Sequence, residues 1–109
     1  MLRGDVWWVS FGPGLGGEIQ KQRPAVIVSN NAANGALNRV QVVPISSNTG
    51  RIYPGEALVS LNGEPRKAMA DQLTTVSKQR LSNKEGGLGV QDMRLVDRAI
   101  AIQLGLRQE

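Results

Sequence analysis

Neither cysteine nor histidine occurs anywhere in the 109 residues. The first absence excludes disulfides, thiolate metal sites and thiol nucleophiles. The second removes the side chain that most often moves protons near neutral pH, and any Ser-His-Asp triad with it. Aromatics are scarce: two Trp, one Tyr and one Phe. No apolar run approaches the roughly 20 residues that a membrane-spanning helix needs. The start, Met1-Leu2-Arg3-Gly4-Asp5, meets charge at once, without the apolar stretch of a secretory signal, so a cytoplasmic protein is expected. The acidic residues are scattered, with no pair at helical metal-ligand spacing, and neither a metal nor another cofactor is expected. The length predicts one compact domain, 1–109.

What is present is an excess of basic charge, +4, which favours polyanionic partners: RNA, DNA or an acidic protein. Along the chain, short β-type segments alternate with turn signals. Val6-Trp7-Trp8-Val9-Ser10-Phe11 predicts a first strand, with Trp7, Val9 and Phe11 on one face and Val6, Trp8 and Ser10 on the other. Residues 12–17, four glycines and a proline in six, predict a loop that continues to Gln22. Ala25-Val26-Ile27-Val28-Ser29 reads as a central strand buried on both faces, and Pro24, lacking an N–H, belongs at its first position. Asn30 to Asn38 is a polar connection with room for one helical turn. Arg39 to Ile45 and Ala57 to Leu61 predict further strands, the latter ending in an Asn62-Gly63 tight turn. Two short strands, or one bent strand, are expected over 66–76, and a single helical turn over 78–81.

From Asp92 the period changes. Met93, Val96, Ile100 and Leu104 recur at helical spacing, with Leu95, Ala99, Ile102 and Leu106 widening the stripe. Many short strands followed by one amphipathic helix give an α+β, mostly β domain.

The glycines at 12–17 lack the Gly-Lys-Ser/Thr ending of a phosphate loop, and a strand rather than a helix follows them, against a dinucleotide fingerprint. What remains for chemistry is a loop carrying Glu18 and Lys21, an arginine at the mouth of a buried strand, and the hydroxyl-rich strand end Ser46 to Thr49.

Gly4-Asp5-Val6-Trp7-Trp8-Val9 with Phe11, then Gly17-Glu18, then Arg23-Pro24-Ala25-Val26-Ile27-Val28-Ser29, resembles the opening of MazF/PemK toxins. Val43-Pro44-Ile45-Ser46-Ser47 resembles that family's third-strand signature, and Ala68-Met69-Ala70-Asp71-Gln72-Leu73 its later Ala-Asp-Gln segment. The matches run in order over nearly the whole chain. The resemblance implies an SH3-like small barrel, as in CcdB, MazF and PemK, with a C-terminal helix, and a homodimer. It implies metal-independent, sequence-specific cleavage of single-stranded RNA to a 2′,3′-cyclic phosphate and a 5′-hydroxyl. It also implies a cognate acidic antitoxin. It casts Arg23 and Ser46 as the catalytic pair, with serine at a place where the family usually has threonine. Ser10 stands where members often carry Asp.

The chemistry suits part of that cast. The guanidinium of Arg23 can make two charge-assisted bonds to a phosphate, and Ser46 can add a neutral donor. Guanidinium is a poor base, so Glu18 is the candidate to take the 2′ proton. Lys21, Ser47, Asn48, Thr49, Trp8 and Gln72 are candidate RNA contacts, with Arg51, Arg66 and Lys67 as further phosphate contacts. Against each stands a plainer role: Arg23 pairing with Glu18, Ser46 as a turn residue, Trp8 covering a dimer seam, Gln72 satisfying backbone. A CcdB-like poison of DNA gyrase and a non-enzymatic SH3-like binding module are the alternative functions. The scarcity of aromatics weighs against a proline-peptide groove.

Overall fold

A computed structural model of the chain describes residues 1–13, 15–18 and 21–107. Gly14, Ile19 and Gln20 of the expected 12–22 loop lie outside the described residues, as do the last two of the chain. The strands are β1 (Asp5–Ser10), β2 (Gln22–Ile27), β3 (Arg39–Ser46), β4 (Glu56–Leu61), β5 (Glu64–Met69), β6 (Thr74–Ser77) and β7 (Leu81–Gly87). Helix α1 (Asn31–Ala36) follows β2, and α2 (Val90–Leu104) ends the fold. The strands form one antiparallel sheet, ordered β4-β5-β3-β2-β1-β7, with β6 also paired to β3. The expected α+β, mostly β small barrel with a C-terminal helix is thus what forms.

Period-two alternation sorts the apolar side chains of the central strands into two cores. Val6, Val26, Val43 and Ile45 enter the larger, with Ala57, Val59 and Leu61 of β4 and Met93, Val96 and Ala99 of α2. Val9, Ala25, Ile27, Val40 and Val42 enter the smaller, with Val76 and Leu81, and Trp7 and Phe11 pack against it. The two faces of β1 read from the sequence are the two seen. Asn62 (φ 53°) and Gly63 (φ 80°) are both left-handed, as the tight turn between β4 and β5 requires.

Three expectations need correction. Pro24 is the third residue of β2, paired with Trp8, and not its first. Phe11 N–H donates to the Lys21 carbonyl (2.8 Å) and Val28 N–H to that of Gln41 (2.9 Å). By alternation, odd residues of β2 bond to β1 and even ones to β3. The missing N–H of Pro24 therefore falls on the β3 side, where the register β2–β3 stops at Ala25↔Pro44. Pro44, facing the other way, sits where β3 leaves β6 (last pair Val42↔Thr74) for β5 (first pair Ile45↔Ala68). Two absent donors part the strands at this corner.

Second, β7 was not expected. Its sequence LSNKEGG offers one buried residue, Leu81, and it is held by pairing along β1 rather than by an apolar face. Third, Leu95, Ile102, Leu104 and Leu106 are exposed, so only Met93, Val96 and Ala99, with Ile100 half-buried, face the barrel. Asp92 does more than meet the helix dipole, because its carboxylate accepts the Ser60 N–H (2.8 Å) and ties α2 to β4.

Candidate functional site

At the parted corner the larger core opens to solvent in a hollow of about 350 Å³. Ile45 and Leu61 are its apolar lining, and both belong to that core. Trp8 and Pro24, cross-strand partners on β1 and β2, contribute next. Lys21, Gln22, Arg23, Ser47, Arg66 and Glu85 complete it.

Each cation has a structural reason to be there. Lys21 is held at φ 61°, which a side-chain-bearing residue rarely adopts, by the pair of bonds Phe11 N–H to Lys21 O (2.8 Å) and Lys21 N–H to Gly12 O (2.9 Å). Arg23 pairs with Val9 at the end of the β1–β2 ladder and is half-buried. Among the described residues, neither Lys21 nor Arg23 has a side-chain hydrogen bond or ion pair. Arg66 on β5 donates to the Pro65 carbonyl (2.8 Å). Basic side chains left unmatched around one hollow make it a place for an anion.

The remaining expected residues divide. Trp8, Lys21, Arg23 and Ser47 come together in the hollow. Ser46 does not line it. The β2–β3 register, extended two residues, sets position 46 across from position 23. However, the Ser46 hydroxyl oxygen accepts the Asn48 N–H (3.1 Å), and alternation turns Ile45 and Ser47 inward instead. Asn48 in turn accepts the Gly50 N–H (3.3 Å), so these two shape the turn beyond β3. Thr49 is half-buried outside the lining. Glu18 is exposed, its carboxylate accepting the Leu15 N–H (3.0 Å) within its own loop, and it too stands outside the lining. Gln72 donates to the Gly17 carbonyl (2.8 Å), fastening that loop from 55 residues away.

Two basic residues are committed elsewhere. Lys67 pairs with Glu56 (3.2 Å), each side chain about a tenth exposed, and also donates to the Arg51 carbonyl (3.2 Å). Arg51 lies over the Tyr53 ring (5.2 Å). Sequence reasoning missed Glu85 altogether, because it belongs to the strand that went unseen. A polar run following an expected helical turn carries no periodic signal.

Residues 2–104 match the family described as PemK-like, MazF-like toxin of type II toxin–antitoxin system. The chain is 34% identical to endoribonuclease MazF9 of Mycobacterium tuberculosis, over 97% of this chain and 98% of that protein. It is 29% identical to the endoribonuclease toxin MazF of Escherichia coli strain K12, over 94% and 92%. In structure it resembles a mycobacterial endoribonuclease solved in complex with its cognate antitoxin, with a TM-score of 0.84 and 27% identity over 100% and 99% of the two chains.

Proposed function

The chain belongs to the PemK-like, MazF-like toxins of type II toxin–antitoxin systems, and on that premise we propose that it is a sequence-specific, metal-independent endoribonuclease. Its substrate is single-stranded RNA, drawn from mRNA, tRNA or rRNA, and its cuts stop translation and growth. The 2′-hydroxyl gives up its proton as its oxygen attacks the adjacent phosphorus, the P–O5′ bond breaks, the departing 5′-oxygen takes up a proton, and the products carry a 2′,3′-cyclic phosphate and a 5′-hydroxyl. One observation carries the reading: Lys21 and Arg23 meet at a single hollow with no partner of their own among the described residues. The family's expected arginine is one of that pair.

In this scheme Arg23 clamps the non-bridging oxygens, whose charge grows in the transition state, and Lys21 adds a point charge. Ser47 supplies a hydroxyl from the lining. Ser46 has spent only an acceptor on Asn48 and keeps its hydrogen to donate.

The protein acts as a homodimer, which would cover apolar side chains such as Leu58, Leu95 and Ile102 that a lone barrel leaves in water. Its antitoxin, by analogy with the relative solved with its cognate partner, is acidic and competes with RNA for the cationic hollow. The site of action is the cytoplasm.

Incubating the purified protein with total RNA in EDTA tests the reading. Discrete cuts ending in cyclic phosphate are expected. Arg23→Ala should lower the cutting rate on the order of 100- to 1000-fold and leave the circular dichroism spectrum unchanged. Intact RNA with the native protein, or near-native cutting by the variant, would overturn it.

A further inference from the structure

The hollow holds one carboxylate, Glu85, among its cations. Three features fix it there. The registers Val6↔Gly86 and Trp7↔Lys84 leave Glu85 as the extra residue of a β-bulge on β7. Bulges interrupt a ladder and re-aim a side chain. The Trp8 indole N–H donates to Oε2 of Glu85 (2.8 Å). The backbone is pinned as well, since Asn62 in the β4–β5 turn donates to the Glu85 carbonyl (3.1 Å). That turn lies so close that a Cβ on Gly86 would stand 2.9 Å from the Asn62 side-chain oxygen. Among the described residues Glu85 forms no ion pair. Oε1 is left with no hydrogen bond from any described residue.

A carboxylate accepts hydrogen bonds and repels phosphate, so it is an unsuitable neighbour for the RNA backbone. What fits beside it is a group with N–H donors. Strand order separates it from the phosphate clamp: Glu85 is on β7, Trp8 on β1 and Arg23 on β2. Adjacent strands lie about 4.8 Å apart, so roughly 10 Å of sheet divides the two backbones. A general base must approach within about 3 Å of the 2′-oxygen, next to the clamped phosphate. The far end of the hollow suits a nucleobase better. Unstacked bases in single-stranded RNA are read by stacking on aromatic rings and by hydrogen bonds to their edges.

Building on the ribonuclease reading, we propose that Trp8 and Glu85 form a nucleobase pocket and that Glu85 selects a base presenting an exocyclic amino group. Guanine, cytosine and adenine each offer that donor. Uracil offers a single N–H flanked by two carbonyl oxygens, which the carboxylate repels. The indole of Trp8 stacks the base and, through its N–H, anchors Oε2 of the carboxylate beside the ring, which leaves Oε1 to accept from the base edge. The pair decides where the RNA is cut, and Arg23 decides how fast.

The test is to map 5′-hydroxyl ends by sequencing after total RNA is cut by the native protein and by Glu85→Gln. The native protein should show one position of its recognition motif restricted against uracil. In Glu85→Gln, whose side chain offers an acceptor and a donor, discrimination at that position should fall roughly 10- to 100-fold, with the rest of the motif intact. Trp8→Phe, which keeps a ring but loses the indole N–H, should relax the same position to a smaller degree. An unchanged motif in Glu85→Gln overturns the proposal. So does a uniform loss of cutting at every site, which would make Glu85 part of the chemistry. Failure of the native protein to cut any RNA is a different result, and removes the ribonuclease reading itself.

Discussion

The two cores share β1, β2 and β3 and differ in how they end. The smaller is closed by side chains: Trp7 and Phe11 pack against its buried cluster. The larger contains more residues, is backed by α2, and yet runs out into the hollow at Ile45 and Leu61. The same strands thus contribute stability on one face and an opening on the other, which lets substitutions separate the two.

Matched truncations give the largest contrast. Ile27→Ala and Ile45→Ala each remove a fully or nearly fully buried side chain. Each should lower unfolding free energy by about 3 kcal/mol in urea titration. At a temperature where both remain folded, only Ile45→Ala should also change RNA cutting, since Ile45 floors the hollow. Equal losses of cutting would erase the distinction between the cores.

A second contrast sits on adjacent residues of β5. Lys67 is paired with Glu56, nearly buried, and Arg66 reaches the hollow. Removing one member of a buried pair strands the other, so Lys67→Met should destabilise by about 2 kcal/mol, discounted for the residual exposure. Its effect on cutting should be small. Arg66→Met should reverse the pattern, weakening binding of an uncleavable deoxyribose-substituted RNA and its salt dependence while leaving the melting temperature within about 2 °C.

The smallest effect concerns the closed core. Among the described residues, Trp7 Nε1 is the buried side-chain nitrogen with no hydrogen-bond partner. Trp7→Phe loses apolar area and also deletes that orphan donor, whose burial costs about 1–3 kcal/mol. The two should nearly cancel, leaving stability within about 1 kcal/mol of the native protein by calorimetry. A larger loss would mean that the indole N–H finds an acceptor in solution.

The residues that were easy to read from sequence were those whose burial is periodic. The faces of β1, the buried run Ala25-Val26-Ile27 in β2 and the Asn62-Gly63 turn follow from the local sequence alone. The site was half legible. Arg23 and Lys21 could be placed because a loop-to-strand boundary and a resemblance marked them. Glu85 could not, because β7 is an edge strand made by its neighbour's backbone, and a bulge breaks the alternation that would have shown its direction. Glu18 shows the limit of proximity in sequence: its nearness to Lys21 and Arg23 does not bring its carboxylate into the lining. On α2, helical spacing alone could not tell Leu95 and Ile102 from Val96 and Ala99, because the sheet is narrower than the apolar stripe.

Pro24 has a consequence for how freely this site can vary. Pairing of β2 with β3 stops at Ala25↔Pro44, and the N–H that Pro24 lacks is the one that would extend it beside the hollow. Side chains around the rim can therefore be exchanged without restoring that backbone donor. Replacing that single imino acid by alanine restores a donor facing Ile45, and offers the two strands a reason to close the hollow.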